Sequence, residues 1–162
     1  MSIDFHIRPI ELRDNAQMAQ IIRLVMPEFG ADGPGFAIHD PEVGRMASAY
    51  AEAQHAYFVI ERDGKVEGGG GIAPLINADD DICELRKMYF LPSLRGLGAG
   101  RVLMQQCLQS ARAAGFRGCY LETLSGMDRA QSLYEQSGFQ RIDNRMGGTG
   151  HFGCNRFYLL DL

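Results

Sequence analysis

Six residues near the middle of the chain, Arg95-Gly96-Leu97-Gly98-Ala99-Gly100, have the composition and the setting to hold an anion. A strand-like run, Glu84 to Leu91, precedes them and is closed by Pro92-Ser93. After them Leu97, Leu103, Cys107, Leu108, Ala111 and Ala114 recur at helical spacing. Glycines let backbone N–H groups approach a ligand closely, and the first-turn N–H groups of a helix have no helical partner. The helix dipole adds a preference for negative charge. Each exposed dipole contact contributes only about 0.3–1 kcal/mol, so several N–H groups must act together, as they would on a phosphate-bearing cofactor. Residue identity then separates the phosphates. A dinucleotide fingerprint needs G-x-G-x-x-G early in a βαβ unit, whereas Gly96, Gly98 and Gly100 stand mid-chain at G-x-G-x-G spacing. A P-loop ends in Gly-Lys-Ser/Thr, and this loop ends Gly100-Arg101-Val102.

The flanking sequence supplies elements to position the loop. Phe5 to Ile10 reads as a first strand, and Asp14 as the cap of a helix whose apolar face includes Ala16, Ile21, Ile22, Leu24 and Val25, ending before Pro27. Glu28 to Asp40, with Gly30, Gly33, Pro34 and Gly35, reads as loop, and Pro41 to Glu52 as a second short helix. Ala56 to Glu61 and Val66 to Leu75 form a hairpin about Arg62-Asp63-Gly64-Lys65. The second of these strands carries Gly68 to Gly71, which weaken a strand unless something needs room against its backbone or a bulge bends it. Asp79-Asp80-Asp81 is a solvated turn. The key strand, the loop and a helix to about Gly115 follow; then come a strand over Cys119 to Leu124, a helix over Met127 to Ser137 stopped by Gly138, and strands over Phe139 to Asp143 and Arg156 to Leu162. Hairpins first and βαβ later give one mixed sheet in an α/β or α+β sandwich.

Bulk composition excludes several classes of function. The 162 residues suffice for one domain with a real core. A formal net charge of −4 without a basic stripe argues against nucleic acid and is compatible with a cationic substrate. Met1 to His6 lack the features of a secretory signal, and no apolar stretch approaches the roughly 20 residues of a membrane span. Cys83, Cys107, Cys119 and Cys154 have neither zinc nor disulfide-framework spacing, so a reducing cytoplasm fits best.

From the first strand to Leu162 the chain resembles the GNAT superfamily of acyl-CoA-dependent N-acetyltransferases, most closely over Cys83 to Phe139. Arg95, Gly98 and Gly100 fill the defined positions of the family's Arg/Gln-x-x-Gly-x-Gly/Ala loop. Glu84 to Pro92 looks like the family's fourth strand, and Leu133-Tyr134-Glu135-Gln136-Ser137-Gly138-Phe139 like its late helix and exit into the sixth strand. The resemblance implies one acetyltransferase domain over 1–162, a mixed, mostly antiparallel sheet of about seven strands flanked by about four helices, and splayed fourth and fifth strands. It implies acetyl-CoA as donor substrate, with no metal. The pyrophosphate would sit on the N–H groups of Arg95, Gly96, Leu97, Gly98, Ala99 and Gly100, aided by Arg95 and Arg101. Pantetheine would pair with the backbone of Met88, Tyr89 and Phe90.

The resemblance also assigns the chemistry. An amine of pKa near 10.4 is almost wholly protonated at neutral pH, a deficit of roughly 4–5 kcal/mol for attack, so a carboxylate must take its proton. Glu84, 11 residues before Arg95, is the first candidate, and Glu122, 12 residues before Tyr134, the second. The competing reading of each is a surface strand glutamate in a salt bridge. Tyr134 holds the general-acid position, where the default is core packing with a satisfied hydroxyl. Acceptor contacts are expected from the two segments Glu28 to Asp40 and Asn144 to Asn155, namely Glu28, Phe29, Asp32 and His151. His151 and Cys154 on their own read as a loop histidine and a filler thiol. The expected reaction is acetyl transfer to a primary amine of a small molecule. The alternatives are transfer to protein lysines or N-termini, and an acyl-CoA-binding regulatory module without turnover. A homodimer is compatible with the resemblance.

Overall fold

The computed structural model describes residues 4–162, so part of the N-terminal segment read for a secretory signal lies outside the described residues. Seven strands form one sheet in the order β1-β2-β3-β4-β5-β7-β6. They are β1 (His6–Pro9), β2 (Ala56–Arg62), β3 (Lys65–Pro74), β4 (Ile82–Phe90), β5 (Gly118–Thr123), β6 (Gln140–Ile142) and β7 (Arg156–Asp161). All neighbours are antiparallel except β4 and β5. The helix α3 (Ala99–Ala113) makes the parallel crossover between that pair. Among the described residues no helix is long and apolar enough to cross a membrane.

Two apolar layers enclose the sheet. On one face α3 and α4 (Asp128–Gln136) press Leu103, Met104, Cys107, Leu108 and Tyr134 against Ile60, Leu85, Met88 and Leu121. On the other α1 (Asn15–Glu28) lays Met18, Ile21, Ile22, Val25 and Met26 against Tyr57, Val59 and Ala73. Cys83, Cys107 and Cys119 are buried free thiols.

Local expectations fail in instructive places. Helix α1 runs through Pro27 to Glu28. In the last turn, proline deletes a single bond to the carbonyl of Arg23, which is exposed and can be solvated. The buried stripe of α1 uses Met18 and Met26, while Ala16 and Leu24 face solvent. Asp14 occupies the N-cap position without capping: its carboxylate instead takes both terminal nitrogens of Arg8 at 2.7 and 2.9 Å and the Glu11 N–H. The segment from Pro41 breaks into a 3₁₀ turn (Pro41–Gly44) and a single helical turn α2 (Met46–Ala49), because Arg45 leaves helical geometry between them.

The glycine run of β3 serves both faces. A Cβ on Gly69 or Gly71 would fall within 3.0 Å of Tyr57, and one on Gly68 would meet the Phe90 ring at 2.7 Å. Large side chains from β2 and β4 thus lie flat on bare β3 backbone. Gly71→Ala, whose Cβ would stand 2.2 Å from the Ala56 carbonyl oxygen, is expected to lower the unfolding free energy by about 1–3 kcal/mol in urea titrations. Gly44→Ala, where a Cβ meets nothing within 4 Å, is expected to stay within about 0.5 kcal/mol.

Candidate active site

The site begins at a break in β4. Register with β3 slips between Gly69, opposite Tyr89, and Gly71, opposite Arg86. The extra residue places Lys87 at φ +48°, a left-handed conformation that costs a non-glycine residue roughly 1 kcal/mol or more. The buried Tyr57 hydroxyl donates to the Lys87 carbonyl at 2.6 Å and pins the bulge. On its other edge β4 has already left β5 before the bulge: their pairing ends at Glu84 opposite Tyr120. A gap therefore opens between two parallel strands, with unpaired β4 backbone along one side.

A cleft of about 580 Å³ fills the α3–α4 side of this gap, lined by Met88, Tyr89, Phe90, Arg95, Gly96, Gly100 and Tyr134 among others. Gly96 and Gly98 adopt φ +79° and +83°, and Gly98 starts α3. A Cβ on Gly100 would meet Leu133 at 3.3 Å, so a small residue keeps α3 close to α4. Arg95 is held by its Nε donating to the Phe90 carbonyl at 3.0 Å, by Glu28 at 2.9 Å and by stacking over Phe29. Its Nη2 is buried and has no hydrogen-bond partner among the described residues. An unsatisfied guanidinium nitrogen beside free first-turn N–H groups is an anion-binding arrangement.

A second cavity of about 50 Å³ continues from Tyr134 past Leu85, Lys87 and Leu121 to Glu122, closed by Phe29, Phe36 and Cys154. The segments Glu28 to Asp40 and Asn144 to Asn155 meet here. The Gly153 N–H donates to the Gly35 carbonyl at 2.9 Å, and the rings of Phe152 and Phe36 lie where side chains on Gly35 and Gly153 would be. Burial pushes the Cys154 thiol up to about 12, which keeps it protonated and inert, as a filler.

The polar face behind this cavity treats its glutamates differently. Glu122 accepts from the Tyr120 hydroxyl at 2.8 Å, from Arg145 Nε at 2.8 Å and from the Thr149 hydroxyl, so both oxygens are committed. Arg145 also holds the His151 and Cys154 carbonyls. Glu122 is therefore the strut of the loop between β6 and β7. Glu84 gives one oxygen to Arg86 Nε at 2.7 Å, and no hydrogen bond occupies the other among the described residues. It is 3% exposed, and burial raises its pKa although Arg86 opposes the shift. Neither glutamate is an exposed strand residue. Lys87 Nζ, 1% exposed, pairs with Asp40 at 2.7 Å and with Glu42, and Asp40 receives His151 Nε2 at 2.9 Å. Burial opposes the charge of Asp40, yet His151 and Lys87 together hold its carboxyl below the ordinary range.

This fold and its cleft are shared with known proteins. The Acetyltransferase (GNAT) family matches over residues 18–139. The uncharacterised N-acetyltransferase YjgM of Escherichia coli K12 is 43% identical over 157 residues, covering 96% of this chain and 94% of its own length. The chain belongs to the GNAT acetyltransferase family. Its fold superposes on a GNAT acetyltransferase of Staphylococcus aureus Mu50 with a TM-score of 0.81 at 18% identity, covering 98% of this chain and 99% of that one. YncA of Salmonella typhimurium, whose structure contains its cofactor acetyl-CoA, gives 0.77 at 20% identity over 98% and 94%.

Within this GNAT chain the sequence-derived residues divide. Met88, Tyr89, Phe90, Arg95, Gly96 and Gly100 line the large cleft; Leu97 packs toward the core, Ala99 is buried, and Arg101 is exposed on the first turn of α3. Tyr134 lines both cavities, and no hydrogen bond occupies its hydroxyl among the described residues. Glu84 lines neither cavity and lies behind them. The expected acceptor-side residues fall in different places. Glu28 turns to Arg95, Phe29 lies under that guanidinium and lines both cavities, and Asp32 is exposed with its carbonyl against His39. His151 is drawn in by Asp40.

Sequence reasoning missed Asp40, Glu42 and Lys87. One signal was present: Arg86 and Lys87 are adjacent charges in a strand whose only other charge is Glu84, and alternation cannot send both to one face without a bulge. Lys87→Met, keeping the length of the side chain, is expected to cost about 3 kcal/mol at pH 7 by leaving Asp40 and Glu42 without their cation. The deficit should shrink as pH falls, because stranded carboxylates become protonated more easily in the folded state than in the unfolded one. Urea titrations at pH 7 and pH 5 measure both.

Proposed function

We propose that the chain transfers the acetyl group of acetyl-CoA to a primary amine of a small molecule. The observation that carries this reading is the pair of adjoining cavities, one at the Arg95–Gly100 loop and one of about 50 Å³ reaching Glu122, that share Phe29, Met88, Tyr89 and Tyr134 in their walls. The orphaned Nη2 of Arg95 and the free N–H groups at the start of α3 suit a pyrophosphate. The unpaired edge of β4 beyond Glu84 suits an amide-bearing pantetheine, which can add to it as a strand does. The small volume behind Phe29 and Phe36 favours a small amine over a protein lysine, which would need an open groove.

Acetyl-CoA supplies an activated acyl carbon, and the residues supply proton handling and position. Glu84, with one free oxygen and a pKa raised by burial, takes the ammonium proton, through water where the amine does not reach it. The nitrogen then bonds to the acyl carbon as the carbon–sulfur bond breaks, and backbone N–H groups near the bulge face the developing oxyanion. Tyr134 gives its proton to the departing thiolate. Burial raises the pKa of that phenol, so the proton is present at every working pH. Glu122, saturated by three donors, shapes the pocket.

An amine and amino-acid panel read by thiol release tests the reaction, and acetyl-CoA that survives every amine would leave the non-catalytic binding module standing. Arg95→Ala combined with Gly98→Val should abolish acetyl-CoA binding in isothermal titration. Tyr134→Phe is expected to lower kcat by about 100-fold with acetyl-CoA affinity unchanged. In the parent enzyme kcat should fall as pH drops through the raised pKa of Glu84, because the protonated carboxyl cannot accept. Glu84→Gln should remove that limb along with most of the rate.

A further inference from the structure

A buried base creates a difficulty that the acetyl transfer alone does not resolve. The net reaction, an ammonium plus a thioester giving an amide plus a thiol, releases one proton per turnover. If Glu84 receives it, that proton sits on a side chain 4% exposed, enclosed by Arg86 and by the apolar strands. It must leave before the next cycle.

The imidazole of His151 stands near it. Ligand atoms of Glu84, Glu122 and His151 lie within 4.8 Å of one another, a span that a single water can bridge with hydrogen bonds at both ends. The His151 ring is fixed by Nε2, which points between both oxygens of Asp40 at 2.9 and 3.0 Å. That contact makes Nε2 the protonated nitrogen of the neutral ring and leaves Nδ1 as an acceptor. His151 is also more open to solvent, at 13%, than Glu84, and Asp40 is more open still at 25%. From Glu84 to Asp40, accessibility rises stepwise.

We infer that the Asp40–His151 pair is the proton exit of the enzyme, resting on the acetyl-transfer reading of the same site. The proton taken from the amine by a Glu84 oxygen passes through water to the free nitrogen of His151. Asp40 stays ionised and carries the imidazolium, and the ring then releases a proton to solvent. No bond other than those to hydrogen changes in the relay. His151 thus acts through Glu84 and is a positioning and relay residue.

The surrounding charges fit this role. From the 37–44 segment come Asp40 and Glu42, from β4 Glu84, Arg86 and Lys87, from β5 Glu122, and from the loop of His151 itself Arg145. Arg86 and Arg145 are spent on Glu84 and Glu122, and Lys87 on Asp40 and Glu42. The same pairing tells against a cation held by Glu84, Glu122 and His151, since both carboxylates already have a guanidinium.

Two experiments separate the relay from the reaction it serves. Without any substrate, the His151 imidazole titration followed by NMR should move to lower pH in Asp40→Asn and in Glu84→Gln, each of which removes a neighbouring negative charge. No movement in either variant overturns the relay, whether or not any amine is acetylated. In turnover, His151→Ala should lower kcat by about 10- to 100-fold while acetyl-CoA affinity stays within about twofold. Added imidazole should restore the rate in proportion to its free base. His151→Gln, which keeps the bulk of the ring, should be slow and likewise gain from imidazole. An unchanged kcat, a loss that imidazole cannot repair, or parent activity abolished by a chelator and restored by Zn²⁺ would each overturn the relay.

Discussion

The hydrogen bond from the buried Tyr57 hydroxyl to the Lys87 carbonyl holds open everything that the site uses. A strand in mid-sheet has its backbone groups taken on both edges, so a ligand can reach them only where the ladder fails. Here β4 parts from β5 after Glu84 and then carries one extra residue against β3, which the fold holds from two sides. Tyr57 reaches the bulge because Gly69 and Gly71 leave β3 bare beneath its ring. On the side-chain side, Lys87 is drawn into Asp40 and Glu42, which offsets the strain of its left-handed backbone. Remove the glycines and the tyrosine loses its seat; remove the lysine and the loop above loses its anchor.

Environment, more than residue type, assigns the acidic groups their tasks. Glu84 and Glu122 lie on neighbouring strands with atoms within 4.8 Å of each other. Three donors make Glu122 a fixed anion that ties Arg145, Thr149 and the loop after β6 into place. Glu84 has one partner and a free oxygen, and burial makes it reluctant to ionise. The first condition suits a strut and the second a base.

What could be read from sequence was what depends on local geometry. The Gly96, Gly98 and Gly100 loop, the Asp63-Gly64 hairpin and the glycine run of β3 each reveal themselves through backbone freedom, and each is where the spacing put it. The family was legible because its loop, fourth strand and late helix come in order. The acceptor face was not. Asp40 and His151 are 111 residues apart and meet only because two irregular loops interlock through Gly35 and Gly153. Glu28 reads as a cation ligand for a substrate until the fold sets a guanidinium of the chain itself beside it. Leu24 obeys the helical period and still faces water, because α1 is met by the sheet along one narrow stripe.

The same fold gives the two cavities shared walls. Phe29 lies under the Arg95 guanidinium at one end and lines the small cavity at the other. Arg95 in turn divides its donors among the end of β4 through the Phe90 carbonyl, the end of α1 through Glu28, and the open cleft through Nη2. A phosphate at that free nitrogen shares its cation with Glu28, and an exposed pair of that kind contributes little on its own. The glycine loop and the wall of the small cavity are thus joined by one stacked pair of side chains.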